Sequence, residues 1–418
     1  MTVSTRWIGA LGAAAAVALT AAIGRAQAAI TVAPDGPVRT IAAALRMVAP
    51  GGRIVVQRGV YREPTITVAR PVTITGEPGA TLDGQGARQI MTVTADDVTI
   101  TGLHFEHVGT SFVEDRAALK VIRAHRCVIA DNRIDDAMFG IYLAEVTDCR
   151  VERNVLHAST VGEAASGNGI HLWSSRRITI AGNRISGHRD GIYFEFVHDS
   201  DIHDNLSERN LRYGLHFMYS DDCRYRRNVF RHNGSGVAVM YTRRVEMVGN
   251  RFEGNWGSAS YGLLLKEIAD SRLEHNVFAH NTTGLLADAA DRLIADRNDF
   301  IGNGWAVKVE ASTQDGRFTR NNFVGNTFDV ATNSGTLSTT FTGNYWDGYD
   351  GYDLNHDGAG DVPYAPVRFF SLVVSRNEPA LVLLRSPLVG LLDTAERALP
   401  AFTPVAVVDA HPHMHRYP

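Results

Sequence analysis

One histidine and two methionines are spaced so that they could hold a soft metal ion. His216 and Met218 are two residues apart, and Met240 lies 22 residues after Met218. Thioether and imidazole donors select soft cations, above all Cu(I). The alternative is that the methionines fill gaps or form an apolar contact surface. The elements that carry these residues decide whether the three side chains meet.

Two residue types recur along the chain with a period near 22. A unit of this length cannot bury its apolar face alone, but successive coils can bury it by stacking. The sequence therefore predicts an all-β fold, a right-handed parallel β-helix, with asparagines at left-handed corners and laddered side-chain amides. The asparagines are Asn132, Asn154, Asn183, Asn205, Asn228, Asn250, Asn276, Asn298, Asn321 and Asn344. The glycines, each followed by an apolar-x-apolar triplet, are Gly140, Gly169, Gly191, Gly214, Gly236, Gly262 and Gly284.

The repeat predicts which side chains face outward. Side chains alternate along a strand, so inward Leu215 and Phe217 place His216 and Met218 toward water. Met218 and Met240 then stand on adjacent turns with Cβ atoms about 4.8 Å apart, and His216 lies about 6.6 Å along the strand. Three further outward residues complete this face. His171, about 10 Å away, is a second binding position for the metal. Leu264 and Leu286 form an exposed apolar strip for a partner.

The chain ends carry different signals. Arg6, a small apolar run and Ala26-Gln27-Ala28 predict a secretory signal peptide over 1–28 and a mature chain in the periplasm. Residues 29–373 form the predicted β-helix, capped by an amphipathic helix within residues 40–49. Residues 374–418 are an apolar tail. The net charge of −4 provides no general attraction to nucleic acid.

The three cysteines are too few and odd in number for a disulfide scaffold. Cys127, Cys149 and Cys223 each precede a corner asparagine by five residues. This position belongs to the core, so small buried residues are expected there. Cys127 and Cys149 lie on neighbouring turns within disulfide range, although nothing in the sequence requires a bond.

Two polar segments near the end offer further ligands. Asp353, Asn355, Asp357 and Asp361, with Gly358, match the first half of a Ca²⁺ loop. The twelfth position is Tyr364 and not glutamate, so a plain Asp/Asn/Gly turn is the alternative. The chain ends with His411, His413, Met414 and His415, either a metal-collecting tract or a frayed terminus.

Several stretches closely resemble the NosD family, periplasmic β-helix proteins of nitrous oxide reductase maturation. They are GIYFEFVHDSDIHDN, NLRYGLHFMYSDD, GVAVMY, YGLLLKEIADS, NYWDGYDGYDLNHDGAGDVPY and LLRSPLVGLLDTAERALPAFTP. The resemblance implies work with an ABC transporter, made of a membrane subunit and a cytoplasmic ATPase. It also implies a copper chaperone lipoprotein as donor and apo-nitrous oxide reductase as recipient. The ligand assignment comes from the repeat register and not from the resemblance.

These observations predict a non-enzymatic metal-transfer protein that carries Cu(I) on His216, Met218 and Met240. ATP hydrolysis on the far side of the membrane would shift the barrel between a state that accepts copper and one that releases it. The expected docking residues for the membrane subunit are apolar tail residues, namely Leu381, Leu383, Leu384, Leu388, Leu391 and Leu392.

Two other classes compete with this prediction. The first is a polyuronate lyase or C5-epimerase, with Tyr193, Glu195, His216 and Lys266 as the reacting groups. Methionines have no role in a polyuronate groove, which counts against it. The second is a structural scaffold between transporter and client, which would bind no metal.

Overall fold

The computed structural model describes residues 29–159, 162–163, 166–384, 386–398 and 406–418. The predicted signal peptide, residues 1–28, lies outside the described residues. The chain winds through three parallel sheets of 14, 12 and 13 strands, and a complete turn contributes one strand to each sheet. The predicted all-β parallel β-helix is confirmed. Among the described residues, no helix is long and apolar enough to cross a membrane.

The strands are short, as expected for a coil with three sides. The first sheet contains Ile30–Val32, Gly52–Val56, Val72–Gly76, Thr99–Thr101, Val128–Ala130, Arg150–Glu152, Thr179–Ala181, Asp201–His203, Arg224–Arg226, Glu246–Val248, Arg272–Glu274, Ile294–Asp296, Arg317–Thr319 and Thr340–Thr342. The second contains Ile66–Val68, Met91–Val93, Ala117–Ile122, Phe139–Ala144, Ile170–Trp173, Ile192–Glu195, Tyr213–Met218, Ser235–Arg243, Tyr261–Ala269, Thr283–Asp291, Trp305–Val309 and Phe328–Ala331. The third contains Gly59–Tyr61, Ala80–Asp83, His104–Glu106, Arg133–Asp135, Val155–His157, Arg184–Ser186, Leu206–Glu208, Val229–Arg231, Arg251–Glu253, Val277–Ala279, Asp299–Ile301, Asn322–Val324 and Tyr345–Trp346.

The predicted asparagine ladder runs through the corner between the first and third sheets. At each step the backbone N–H and the side-chain Nδ2 of one asparagine donate to Oδ1 of the next, as Asn228 does to Asn250 at 3.0 Å for both bonds. The left-handed residue, however, is the one before each asparagine, for example Arg227 with φ 52°. The prediction of left-handed backbone at the asparagines themselves is wrong, because their side chains and N–H groups are both committed to the ladder.

A second ladder, which the repeat analysis missed, lies at the corner leading into the second sheet. The backbone N–H and Nδ2 of Asn281 donate to Oδ1 of Asn303 at 3.0 and 3.1 Å. The other steps follow the same pattern, except that Nδ2 of Asn233 donates to the carbonyl oxygen of Ser207. The ladder comprises Asn210, Asn233, Asn255, Asn281, Asn303 and Asn326. It therefore helps to fix where the six second-sheet strands that follow these asparagines begin.

The predicted N-terminal capping helix is present as α1, Ile41–Met47. Thr40 caps it by accepting the Ala43 N–H at 3.1 Å, and the Glu63 carboxylate accepts the N–H groups of Ile41 and Ala42. As predicted, the apolar face of this segment, formed by Ile41, Leu45 and Val48, is buried. This helix covers strand edges that would otherwise expose unpaired backbone groups.

The C-terminal region is more closely tied to the barrel than its composition predicts. Helix α2 spans Phe369–Arg376, a 3₁₀ helix spans Glu378–Leu383, and helix α3 spans Pro387–Ala398. Residues 406–418 then return to the last turn, where bridges join Asp409 to Phe341 and His413 to Tyr345. The change to helix therefore begins before the predicted boundary at residues 373 and 374. A frayed terminus is the wrong alternative for residues 406–418.

Candidate functional site

The outward side chains of the second sheet form two columns in register. In the first column Tyr142, His171, Tyr193, His216, Ala238, Leu264 and Leu286 are successive Cα partners. In the second column the partners are Ala144, Trp173, Glu195, Met218, Met240, Lys266 and Asp288. The inward residues between the columns, such as Leu215 and Phe217, are fully buried. The alternation inferred from the repeat therefore agrees with the structure.

The two methionines lie directly opposite each other on adjacent turns. Met218 and Met240 are Cα partners, and both are half-buried. Glu195 is the partner of Met218 on the turn before, and Lys266 is the partner of Met240 on the turn after. Two soft thioethers thus stand between a carboxylate and an ammonium group in one outward column.

His216 faces out of the barrel but does not reach water. Only 7% of the residue is exposed, because the rings of Tyr193 and Tyr213 pack against it with centroids 5.2 and 4.9 Å away. The prediction that His216 faces water is therefore wrong. Both ring nitrogens are buried and have no hydrogen-bond partner in the described part of the chain. The imidazole consequently keeps nitrogen capacity that the fold does not use.

His171 has a different environment two turns away. Its ring is stacked between Tyr142 and Tyr193, at 4.4 and 4.8 Å between centroids. The side-chain amide of Asn168 donates to Nδ1 at 2.9 Å. Burial is the main cause that lowers the pKa of His171 to about 3, and the positive charge of Arg189 adds to it. Nδ1 is therefore occupied, and His171 suits a metal less well than His216 does.

The predicted exposed apolar strip is only partly present. Leu264 is 9% exposed and Leu286 is half-buried, whereas both were expected to face solvent. Column neighbours on adjacent turns lie close enough to cover one another's sides, and Leu264 stands between Ala238 and Leu286. The prediction of an exposed Leu264 is wrong.

The tail leucines present more apolar surface than this strip. Leu381, Leu383, Leu388 and Leu391 are exposed, and the other two predicted docking residues, Leu384 and Leu392, are half-buried. A separate apolar cluster holds the helices to the end of the second sheet, through Trp305, Phe328, Ala331, Phe370, Val374, Ala380 and Val389. The tail is thus anchored on one side while its leucines remain exposed on the other.

The cysteines occupy the predicted core positions. Cys127, Cys149 and Cys223 are free and at most 1% exposed. The Cys127 N–H donates to the Cys149 sulfur at 3.2 Å. Burial raises the pKa of the Cys223 thiol to about 12, so this group stays protonated at neutral pH. All three thiols are therefore inaccessible to a metal ion from solvent, and that of Cys223 also lacks the charge of a ligand.

The acidic segment near the end forms its own hydrogen-bonded turn. Asp353 accepts the N–H of Gly358 at 2.9 Å, Asp357 accepts that of Ala359 at 2.8 Å, and Asp361 accepts that of Leu354 at 2.7 Å. Bonds of this kind are typical of Asx turns. The turn alternative accounts for these contacts, and Ca²⁺ binding remains a prediction.

The terminal histidines are held close to the last turn. His413 Nδ1 lies 2.6 Å from the carbonyl oxygen of His415, and the His413 ring stacks on Tyr417 at 4.3 Å. The His415 N–H lies 3.3 Å from the same nitrogen, so backbone groups of His415 already occupy Nδ1. A role of the tract in collecting metal remains a prediction.

The sequence analysis missed two polar groups. Asp83, Glu106 and His107 bring three metal-capable atoms within 4.8 Å, but Asp83 already accepts from Arg62, Gln85 and His107. The other is Asp190, which is fully buried beside His216. The sequence does contain a signal for Asp190. Among the residues that directly precede the seven repeat glycines, it is the charged one.

Comparison with known proteins identifies the family. A curated relative from Pseudomonas aeruginosa, named "Probable ABC transporter binding protein NosD", is 32% identical over 392 residues, covering 83% of this chain and 85% of the relative. This chain belongs to the NosD family. A relative of the same name from Stutzerimonas stutzeri is 28% identical over 370 residues, covering 83% and 84%. The family model described as "Periplasmic copper-binding protein (NosD)" matches residues 157–351, which include both columns from His171 onward. The NosD resemblance is confirmed, and with it a periplasmic accessory protein of this type.

Solved structures similar to this NosD-family chain show the fold alone. A PL6 alginate lyase in complex with a trisaccharide has a TM-score of 0.56 at 12% identity, covering 76% of this chain and 85% of the lyase. The Dettilon tailspike protein has a TM-score of 0.55 at 14% identity, covering 75% and 70%. Proteins with such different roles share the pectin-lyase-like β-helix, so the fold does not identify the activity.

Proposed function

We propose that this NosD-family chain is a periplasmic copper carrier that binds Cu(I) at His216, Met218 and Met240. The observation that carries the proposal is the register of the second sheet, which pairs the two methionines one turn apart. On the strand of Met218, His216 keeps both buried ring nitrogens without a hydrogen-bond partner among the described residues. Two thioethers and an imidazole match the preference of Cu(I) for soft donors. The copper-binding description of the family supports the same metal.

The copper is cargo in this proposal and not a resident cofactor. A copper chaperone lipoprotein delivers it, and apo-nitrous oxide reductase receives it. His171, with its occupied Nδ1, is a second stop of lower affinity. Neutral thioethers impose no large electrostatic cost on release, which suits a site that must pass its ion onward.

The tail docks the carrier to the membrane subunit of an ABC transporter, whose ATPase drives the change between accepting and releasing states. Exposed Leu381, Leu383, Leu388 and Leu391 support this part of the proposal. The curated relatives are themselves named ABC transporter binding proteins. Leucines exposed on an anchored helical segment are typical of a protein contact surface.

A polyuronate lyase or epimerase is less well supported. His216 is 7% exposed, and a sugar ring, unlike a single ion, is too large to bring its C5 proton to the ring nitrogens. Burial is the main cause that raises the pKa of Tyr193 to about 12, and the negative charge of Glu195 adds to it, so this phenol is a poor base. Unsaturated product from alginate or pectin would favour this enzyme class over the carrier.

The copper site is tested by replacing both methionines. We expect the double variant Met218→Leu and Met240→Leu to keep its fold and to lose Cu(I) affinity by more than roughly 100-fold. Outer partners of metal ligands already contribute about 10- to 100-fold, so direct ligands should contribute more. Anaerobic Cu(I) titration against a chromophoric competitor measures the affinity, and X-ray absorption counts sulfur and nitrogen neighbours.

Met47→Leu is the matched control, because Met47 is exposed on α1 and lies outside the columns. It should bind Cu(I) like the wild type. Stoichiometric Cu(I) binding by the double variant, with unchanged sulfur coordination and normal reductase maturation, would show that the ligands lie elsewhere. Absence of Cu(I) binding in the wild type would favour the structural scaffold.

A further inference from the structure

The buried imidazole of His216 faces a buried carboxylate. Asp190 is fully buried, and its Oδ2 lies 3.9 Å from Nδ1 of His216. Neither of these two atoms has a hydrogen-bond partner in the described part of the chain. Leaving buried polar atoms unpaired destabilises the folded state. Two such atoms facing each other indicate a hydrogen bond that forms when the other ring nitrogen of His216 binds an ion.

The fold holds Asp190 in this position. Its backbone carbonyl accepts the Gly169 N–H at 3.0 Å, and its Oδ1 accepts the Tyr213 N–H at 3.3 Å. Arg189 Nε lies 3.8 Å from Oδ2, and Arg212 Nε lies 3.7 Å from Oδ1. One guanidinium group therefore stabilises the charge at each carboxylate oxygen, and Oδ2 lies near both Arg189 and the imidazole.

A neutral imidazole has one N–H and one lone pair. A histidine that binds a metal through one nitrogen almost always donates the other N–H to a carboxylate, a carbonyl or water. Since Nδ1 of His216 faces Asp190, the nitrogen left for an ion is Nε2. The distance of 3.9 Å exceeds that of a hydrogen bond, so the bond requires the two groups to move closer together.

We propose that Asp190 is a positioning residue that holds His216 with its proton on Nδ1 and presents the Nε2 lone pair to Cu(I). The inference rests on the proposed function for the identity of the ion, but the pairing of Asp190 with His216 stands without it. His171 provides an internal contrast. Its Nδ1 accepts the Asn168 amide proton, so its own proton is on Nε2.

The tautomers can be measured directly in the apo protein. Long-range ¹H–¹⁵N NMR of histidine-labelled protein, with His216→Gln and His171→Gln used for assignment, distinguishes Nδ1–H from Nε2–H. We expect Nδ1–H for His216 and Nε2–H for His171. In Asp190→Leu, which has no acceptor, His216 should lose its preference, and in Asp190→Asn, whose side-chain oxygen can still accept, the preference should be largely retained. Nε2–H at His216 in the wild type would overturn the inference.

Copper binding gives the second readout. We expect Asp190→Leu to lower Cu(I) affinity by about 10- to 100-fold, with the nitrogen neighbour lost or lengthened and the sulfur count unchanged. Asp190→Asn should recover most of the affinity, and Asp199→Asn, at an exposed corner, should have no effect. Wild-type affinity in Asp190→Leu would refute the role of Asp190. Failure of the wild type to bind Cu(I) would instead refute the proposed function, while the tautomer measurement still tests the pairing.

If Asp190→Leu does not fold, the wild-type tautomer and the Asp190→Asn variant still decide the question. A purely structural role for Asp190 predicts lower thermal stability without a change in the His216 tautomer. A wild-type His216 that favours neither tautomer would likewise contradict the inference.

Discussion

Three histidines, of which His188 and His216 are buried and His171 is half-buried, show how local partners decide what one residue type can do. His171 has an occupied Nδ1, His216 faces Asp190 with both nitrogens unpartnered, and His188 stands where the second ladder otherwise has asparagine. The His188 N–H donates to Asn210 as a ladder member would, at 3.1 Å, but its Nε2 has no partner among the described residues. Burial lowers the pKa of His188 to about 3. The fold therefore keeps His188 neutral, at a cost in folding free energy when the pH falls.

The substitution His188→Asn should reduce the pH dependence of stability. The folded pKa of about 3 lies below the unfolded value of about 6.5. The stability contributed by neutral His188 is therefore present above pH 6.5 and is lost as the pH falls toward 3. The wild type should lose about 1.4 kcal/mol per pH unit more than the variant across this window. Urea unfolding at several pH values measures the difference, and parallel curves for the two proteins would contradict it.

Helix α3 is the element that the repeat cannot explain. Val389 on this helix joins the cluster that contains Phe370 and Val374 of α2, while Leu388 and Leu391 are 55% and 71% exposed. An isolated helix of 12 residues is marginal in water, so packing on the barrel end stabilises it. Its exposed leucines remain available because the anchoring contacts use the other side.

Charged residues on the exposed side of α3 should prevent docking. We expect Leu388→Glu with Leu391→Glu to abolish co-purification with the membrane subunit of the transporter, because carboxylates would have to be buried at the contact. The same substitution at Leu354, which is 75% exposed on the acidic turn, is the control. Circular dichroism checks that the barrel is retained. Undiminished co-purification of the double variant would exclude this face as the docking surface.

At the scale of the whole molecule, the chain end closes the first asparagine ladder. Asp409 is fully buried and supplies the acceptor that a next asparagine would provide. It accepts the N–H and Nδ2 of Asn344 at 2.9 and 3.1 Å and the indole N–H of Trp346 at 3.1 Å. The Gly343 N–H also donates to it, at 3.0 Å. Residues 406–418 thereby complete the barrel at the end opposite α1.

Removal of this acceptor should open the last turn. Asp409→Ala leaves several buried donors unpaired at about 1–3 kcal/mol each. We expect faster hydrogen exchange at Gly343, Asn344 and residues 406–418, and a lower melting temperature. Asp357→Ala, on the exposed turn, should leave exchange at these positions unchanged. Protection of Asn344 equal to that of the wild type in Asp409→Ala would show that another group closes the ladder.

The order of residues was enough to determine the architecture and the alignment of the two methionines. Parallel pairing in register repeats one spatial step per turn, so a period near 22 places Met218 opposite Met240 wherever the strands pair. The family resemblance was likewise readable from the motifs. The second ladder was missed although each of its asparagines follows an asparagine of the first ladder by five residues.

Only the tertiary structure decided which outward groups are exposed and what lies beside them. The burial of His216 depends on the rings of Tyr193 and Tyr213, and its pairing with Asp190 depends on where a neighbouring turn begins. The return of Asp409 to Asn344 joins residues 65 positions apart. Such contacts follow from how corners and chain ends pack in space. A periodic pattern, which specifies only inward or outward direction, cannot predict them.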